Sequence, residues 1–253
     1  MKRVAAMTAA FLITVLLPAA AFAQDAPPEG PGQTANPIVL IIVIGALALA
    51  PFGLIMLTSF VKIAVVLSIL RSALGTQQVP PNQVITGISL ILTIFIMAPV
   101  VEKMYAEAGT IPNTNAIFSE MSVAELLEAS KRGKEPLRKF LVLHADPAHQ
   151  KLFFDLSQRM ALKNGNDPAA ITPDEFRVMV PAFVTTQLTE AFQIGFFIFI
   201  PFLIIDMVVA NILQAMGMFM LSPTIISLPF KLLLFVLVNG WEIIIKNLVL
   251  QFT

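Results

Sequence analysis

The charges of this chain are crowded into its middle. Of its 32 Lys, Arg, Asp and Glu residues, 21 lie between Glu102 and Arg177, 10 basic and 11 acidic. The flanks are nearly charge-free: residues 37–57 form a 21-residue run with no charge at all. As a helix that run rises about 30 Å, the thickness of a bilayer's hydrocarbon core. Further apolar runs occupy residues 84–101, 194–213 and 225–250. All are too long, and too poor in alternation, to be strands. Only 13% of residues are charged, against about 25% in soluble domains. A typical soluble enzyme is thereby excluded. The pattern predicts an all-α, membrane-associated chain of long kinked helical hairpins around a small helical polar module.

The amino end carries an address. Lys2 and Arg3 precede a short apolar stretch, and Ala21-Phe22-Ala23 supplies a small-x-small cleavage site before Gln24. This is the layout of a signal peptide over residues 1–23. Residues 24–36, rich in Pro and Gly, read as a disordered tether. Residues 37–101 then form a first hairpin, kinked at Pro51, residues 102–190 the polar module, and residues 191–253 a second hairpin. Cleavage after Ala23 would start the mature chain outside the cytoplasm. The first run then travels inward, with Lys62 and Arg71 on its cytoplasmic side. The module emerges on the periplasmic or extracellular face.

Within the module, punctuation predicts about three short helices. Ser122 and Glu125 form a capping box, and the helix they start is expected to stop at Gly133. Asp146-Pro147 reads as N-cap and first helical residue, and Asn164-Gly165 as the stop. Thr172-Pro173-Asp174-Glu175 is a second capping box. So small a module lacks a large core of its own and is expected to pack on copies of itself or other subunits.

Reactive chemistry has few footholds. The chain has no cysteine, hence no disulfide, thiolate metal site or cysteine nucleophile. It has no phosphate-cradling G-x-x-x-x-G-K-[ST] and no G-x-S-x-G. The two histidines, His144 and His149, are not spaced as a helical zinc pair. Asp146 and Asp155 lie nearby, yet a solvated helix face explains these residues better than a metal site. Zero formal net charge argues against nucleic acid as a partner. The expectation is no enzyme, no metal and no cofactor.

Three charges inside apolar sequence are more informative. Lys62, Asp206 and Lys231 would each cost about 2–4 kcal/mol at a bilayer centre unless paired or wet. Asp206 pairing with Lys62 or Lys231 would hold helices in register. The rival reading is a small-solute or ion transporter centred on Asp206. A relay needs several protonatable groups in series, so pairing is preferred. Residues 214–223, QAMGMFMLSP, place Met216, Met218 and Met220 at every second position. Gly217 and Pro223 predict a non-helical turn. Were it extended, the three thioethers would share a face, with Phe219 and Leu221 opposite. Flexible, polarizable methionines suit a surface that deforms and reseals, although they also fill ordinary core gaps. In RSALGTQQVPP, residues 71–81, Gly75 and Pro80-Pro81 break the helix. Arg71, Gln77 and Gln78 are candidates for a subunit contact.

Four segments together resemble one family. They are MLTSFVKIAVVLSILRSALGTQQVPPNQ (56–83), AFQIGFFIFIPFLIIDMVVANIL (191–213), MGMFMLSP (216–223) and ISLPFKLLLFVLVNGW (226–241). These are similar to the FliP/SctR family of type III secretion export subunits, over about residues 37–252. The resemblance implies a homopentameric ring joined by FliR/SctT and FliQ/SctS subunits and a FlhB/SctU-type switch protein. It implies a gate in the bacterial inner membrane that conducts unfolded secretion substrates. Lipid touches part of such an assembly, and neighbouring subunits shield much of the apolar sequence. It further implies that Met216, Met218 and Met220, with Phe219, form the gasket of the closed pore. Two positions depart from the family pattern. Thr186-Gln187-Leu188 stands where Ser-Glu-Leu is common, with Glu190 following, and Asn239 stands where Asp is usual. Pro51-Phe52, Lys62 and Thr189-Glu190 tip the resemblance toward the injectisome branch, whereas a signal peptide is commoner in the flagellar one.

Overall fold

The helix FVKIAVVLSILRSAL, Phe60–Leu74 (α1), buries Lys62, Ile63, Val66, Leu67, Leu70, Ala73 and Leu74. That spacing is one continuous helical stripe. The helix ends at Gly75, whose φ of 75° is the left-handed turn that a residue without a Cβ adopts cheaply. The computed structural model describes residues 55–76, 79–108 and 133–252, and singly residues 41, 44, 45, 48, 49, 52 and 53. The chain divides into two units, Met1–Ala46 and Leu47–Thr253. In the first, residues 41, 44 and 45 are helical and exposed; α1 and the described helices after it belong to the second. The signal peptide, the tether, Pro51, the Ser122 capping box, Gln77 and Gln78 lie outside the described residues.

Among the described residues the fold is all-α, with no strand. After α1 come α2 (Asn82–Ala108), α3 (residues 133–143), α4 (Pro147–Lys163) and a short 3-10 turn at Pro168–Ala170. Then come α5 (Phe176–Ala215), α6 (Pro223–Leu237) and α7 (Gly240–Leu250). α1 is the hub: its broadest contact is with α5, and α2 and α6 also pack on it. α2 turns Ile85, Ser89, Thr93, Ile96 and Met97 inward. The hydroxyls of Ser89 and Thr93 donate to the carbonyls of Ile85 and Ser89, one turn back, so neither is left unpaired in the interior.

α5 is 40 residues long and continuous. At 1.5 Å per residue it spans about 60 Å, twice a hydrocarbon core. It therefore passes through the expected module boundary at Glu190, and through Pro201 and Asp206, without a break. Its first half is packed: Val178, Met179, Ala182, Phe183, Thr186, Gln187, Ala191 and Gly195 are buried. Beyond Gly195 only Phe202 and Leu213 are. At Gly195 the helix meets α1 so closely that a Cβ would lie 2.5 Å from Ile69 Cδ1 and 2.8 Å from its Cγ2.

Local signals hold in places and yield in others. Asp146 caps α4 through its side chain, which accepts from Ala148 N at 2.7 Å, and Pro147 follows at the first helical position. α4 stops at Asn164-Gly165 as expected, with Gly165 at φ 73°. Gly133 is the first described residue of α3, and the helix it was expected to end lies outside the described residues. Phe140 and Leu141 of α3 are buried. α5 begins at Phe176, not after Thr172. Only the reciprocal half of that capping box forms, Thr172 N donating to Glu175 Oε1 at 3.1 Å. α2 continues past Pro99.

Among the described residues, two helices are long and apolar enough to cross a membrane, Asn82–Glu107 and Phe176–Ala215. The run at residues 225–250 is not a single straight span. It forms α6 and α7, bent by 60°. The break falls at Asn239, which sits in the left-handed region at φ 51°. Gly240 follows, where a Cβ would lie 2.2 Å from the Phe235 ring. Most of the run at residues 37–57 lies outside the described residues.

Candidate functional site: the methionine turn and its ion-pair staple

The turn after α5 is built by a Schellman motif. Gly217 N donates to Gln214 O at 3.0 Å, and Met218 N reaches back to Leu213 O at 2.9 Å. Gly217 takes the left-handed conformation, φ 72°, that this motif requires. A second reversal follows, Leu221 N donating to Met218 O at 3.4 Å, and Pro223 opens α6 at its first helical position. The turn is non-helical, as the glycine and proline predict. It is not the extended strand that would put all three thioethers on one face. The backbone spends those residues on satisfying the last carbonyls of α5.

This turn carries its apolar side chains outward. Met220 is fully exposed and Phe219 is 80% exposed; Met216, Met218 and Leu221 are also exposed. None of the three methionines fills a gap in this chain's own core.

The turn's two legs are tied together. Lys231 Nζ on α6 lies 2.6 Å from Asp206 Oδ2 on α5. Ser227 Oγ donates to Asp206 Oδ1 at 2.5 Å. Lys231 is 97% buried, and its ammonium also reaches Ala73 O at 3.4 Å. That carbonyl belongs to the last turn of α1, where the helix dipole favours a cation. One ammonium therefore joins α1, α5 and α6. Asp206 lies nine residues before the end of α5, about 14 Å below the turn. Of the two lysines considered for Asp206, the structure selects Lys231.

Lys62 goes elsewhere. It is only 2% exposed and pairs with Glu190 on α5. Its Nζ also donates to Gln251 Oε1 at 3.0 Å and lies 4.5 Å from the centre of the Phe252 ring. Phe252 packs in turn on Phe140 and His144. From the sequence only Asp206 offers itself as a partner for Lys62, and nothing there marks Glu190, Gln251 or Phe252 for that role. Gln251 and Phe252 close the chain's end over a lysine 189 positions from that glutamine. Gln187 donates from Nε2 to His144 O at 3.0 Å.

Arg71 turns inward on its own chain, donating to Pro80 O at 3.4 Å and to Asn82 Oδ1, so it braces the α1–α2 connection. His149 Nδ1 lies 2.9 Å from Thr186 Oγ1, and His144 Nδ1 2.9 Å from Phe140 O. Each histidine thus has a protein partner on that nitrogen. In the module Arg138 bridges Glu135, at 2.5 Å, and Asp174. The Arg138 hydrogen bond holds the Glu135 carboxyl below its ordinary range. Glu175 is likewise lowered, first by Arg177 and then by the Thr172 N–H.

The FliP family model matches residues 43–248. The flagellar biosynthetic protein FliP of Pectobacterium carotovorum is 42% identical over 229 residues, covering 90% of this chain and 83% of that protein. FliP of Bacillus subtilis is 43% identical over 222 residues, 88% of this chain and 95% of that one. The Yop proteins translocation protein R of Yersinia pestis is 43% identical over 222 residues, 87% and 98% of the two. With such matches running through α1, α5, the methionine turn and α6, this chain belongs to the FliP family, which joins flagellar biosynthetic proteins to a protein-translocation component.

Proposed function

We propose that this chain is a pore-forming subunit of a type III protein export gate in the bacterial inner membrane. Several copies bring their methionine turns together as a seal at rest, and unfolded substrate passes when the seal yields. The observation that carries this reading is the outward display of Met216, Met218, Phe219 and Met220 on a turn whose legs are tied by Asp206 and Lys231. Unbranched thioethers adapt to differently shaped objects and close again at small energetic cost. The bare second half of α5 offers apolar surface for neighbouring copies, for FliR/SctT- and FliQ/SctS-like subunits and for lipid. A FlhB/SctU-type switch protein would supply selection, and energy would come from outside this chain. Asp206 is engaged by Lys231 and Ser227, which supports a holding role over an open transport carboxylate.

Relatives named for flagella and for Yop translocation are equally similar, 43% over 222 residues each. Pro51-Phe52, Lys62 and Thr189-Glu190 favour the injectisome branch. A deletion strain that stays motile but stops secreting effectors supports that branch; loss of motility assigns the chain to the flagellum.

The test of the seal is the triple variant Met216→Ala, Met218→Ala, Met220→Ala in assembled complexes. It should raise resting ion conductance while complexes still form. A triple variant as tight as the parent would sink the seal.

A further inference from the structure

The chain has 12 methionines and no cysteine, so its sulfur chemistry is thioether chemistry alone. Peroxide converts a thioether to a sulfoxide, provided it can reach the sulfur. The structure sorts the methionines by that access. Met97 and Met179 are buried in the core. Met220 is fully exposed, and Met216 and Met218 are exposed beside it. Three open thioethers therefore fall within five residues, on one turn. Met56, Met160 and Met207 are exposed too, each apart from the others in sequence.

The turn is built so that oxidation spares its fold. Its reversals rest on main-chain bonds, Gly217 N to Gln214 O, Met218 N to Leu213 O and Leu221 N to Met218 O. The staple below it uses Lys231, Asp206 and Ser227. No thioether takes part in any of these bonds. A sulfoxide changes what the turn presents and leaves its backbone standing. That change is large. A thioether is a weak acceptor that packs as an apolar group. A sulfoxide is polar, and its oxygen calls for a hydrogen-bond donor. Residues 216–221, MGMFML, carry no side-chain donor, so the donor must be water. We propose that Met216, Met218 and Met220 are an oxidation-sensitive modification site, converted to sulfoxides by hydrogen peroxide, and that the oxidised turns admit water and ions. This rests on the seal proposed above. In each step the sulfur takes one peroxide oxygen: an S–O bond forms as the O–O bond breaks, and the sulfur loses two electrons. The departing hydroxide takes up the transferred oxygen's proton and leaves as water. Methionine sulfoxide reductases, one per epimer, reverse the change; the oxygen leaves as water and a dithiol becomes a disulfide.

The test treats assembled complexes in liposomes with dilute hydrogen peroxide, recording ion conductance and locating sulfoxides by peptide mass spectrometry. Met216, Met218 and Met220 should oxidise at least tenfold faster than Met97 and Met179. Conductance should rise several-fold at that stage while the unfolding midpoint stays in place. Both reductases with dithiothreitol should bring conductance back. The triple variant Met216→Leu, Met218→Leu, Met220→Leu, whatever its resting conductance, should show no peroxide-dependent rise. An equal rise in that variant, oxidised turns with unchanged conductance, or turn methionines no faster than the core pair each overturn the proposal. Should the leucine variant fail to assemble, the reductases decide: conductance that stays high once the sulfoxides are gone overturns it. The alanine triple variant described above separates this proposal from the reading beneath it. If that variant is tight, seal and oxidation site fall together; if it leaks while the oxidised parent stays tight, only the oxidation site falls.

Discussion

Lys231 and Asp206 meet at 2.6 Å, but they are not equally hidden: the lysine is 3% exposed and the aspartate 30%. The consequence of breaking the pair is therefore asymmetric. Removing the carboxylate strands an ammonium in the interior, where an unpaired charge costs about 3 kcal/mol or more. Removing the ammonium leaves an acid that water and Ser227 can still serve. Asp206→Asn should lower stability in detergent more than Lys231→Met does. Equal losses in thermal or denaturant unfolding would contradict the staple as described.

Gly195 is a contact residue by virtue of what it lacks. An added Cβ would lie 2.5–3.2 Å from three atoms of Ile69. The Cδ1 end can move; Cγ2 and Cβ cannot without shifting α1. Gly195→Ala should destabilise by about 1–3 kcal/mol, the usual cost of overpacking. Ile69→Ala in the same chain should recover part of that loss. A double-mutant cycle showing simple additivity would deny the contact.

Asn239 occupies left-handed backbone between α6 and α7, φ 51° and ψ 48°. Asparagine and glycine tolerate this region, whereas a β-branched residue pays about 1–2 kcal/mol. Asn239→Gly should leave stability nearly unchanged and Asn239→Val should lower it by that amount. Unfolding midpoints of the two variants give the comparison directly.

Acid should loosen the polar module. Glu135 and Glu175 both titrate below their ordinary value of 4.5, held down first by Arg138 and Arg177 respectively. A carboxyl lowered in the folded state stabilises above its unfolded pKa, and that contribution disappears as pH falls through the folded value. The melting temperature should therefore decline as pH drops below about 4.5. Glu135→Gln should make the decline shallower. An unchanged slope would show that the Arg138 bridge adds nothing in solution.

The sequence alone determined what local chemistry controls. Asp146-Pro147 starts α4, Asn164-Gly165 ends it, and Gly217 turns the chain after α5, because caps and reversals are settled within a few residues. It also required that Lys62, Asp206 and Lys231 find partners, because charge in apolar surroundings is costly. Which partners they found was decided only by the tertiary structure. Asp206 lies 25 positions from Lys231 and 144 from Lys62; helix rotation and packing chose the first. Lys62 took Glu190 and a glutamine at the far end of the chain. Packing likewise made α1, which reads as a charged edge to an apolar run, the buried hub. It also drew α5 through the border between polar and apolar sequence as one helix. Sequence-distant contacts depend on how faces meet in space, and no short window of residues encodes that meeting.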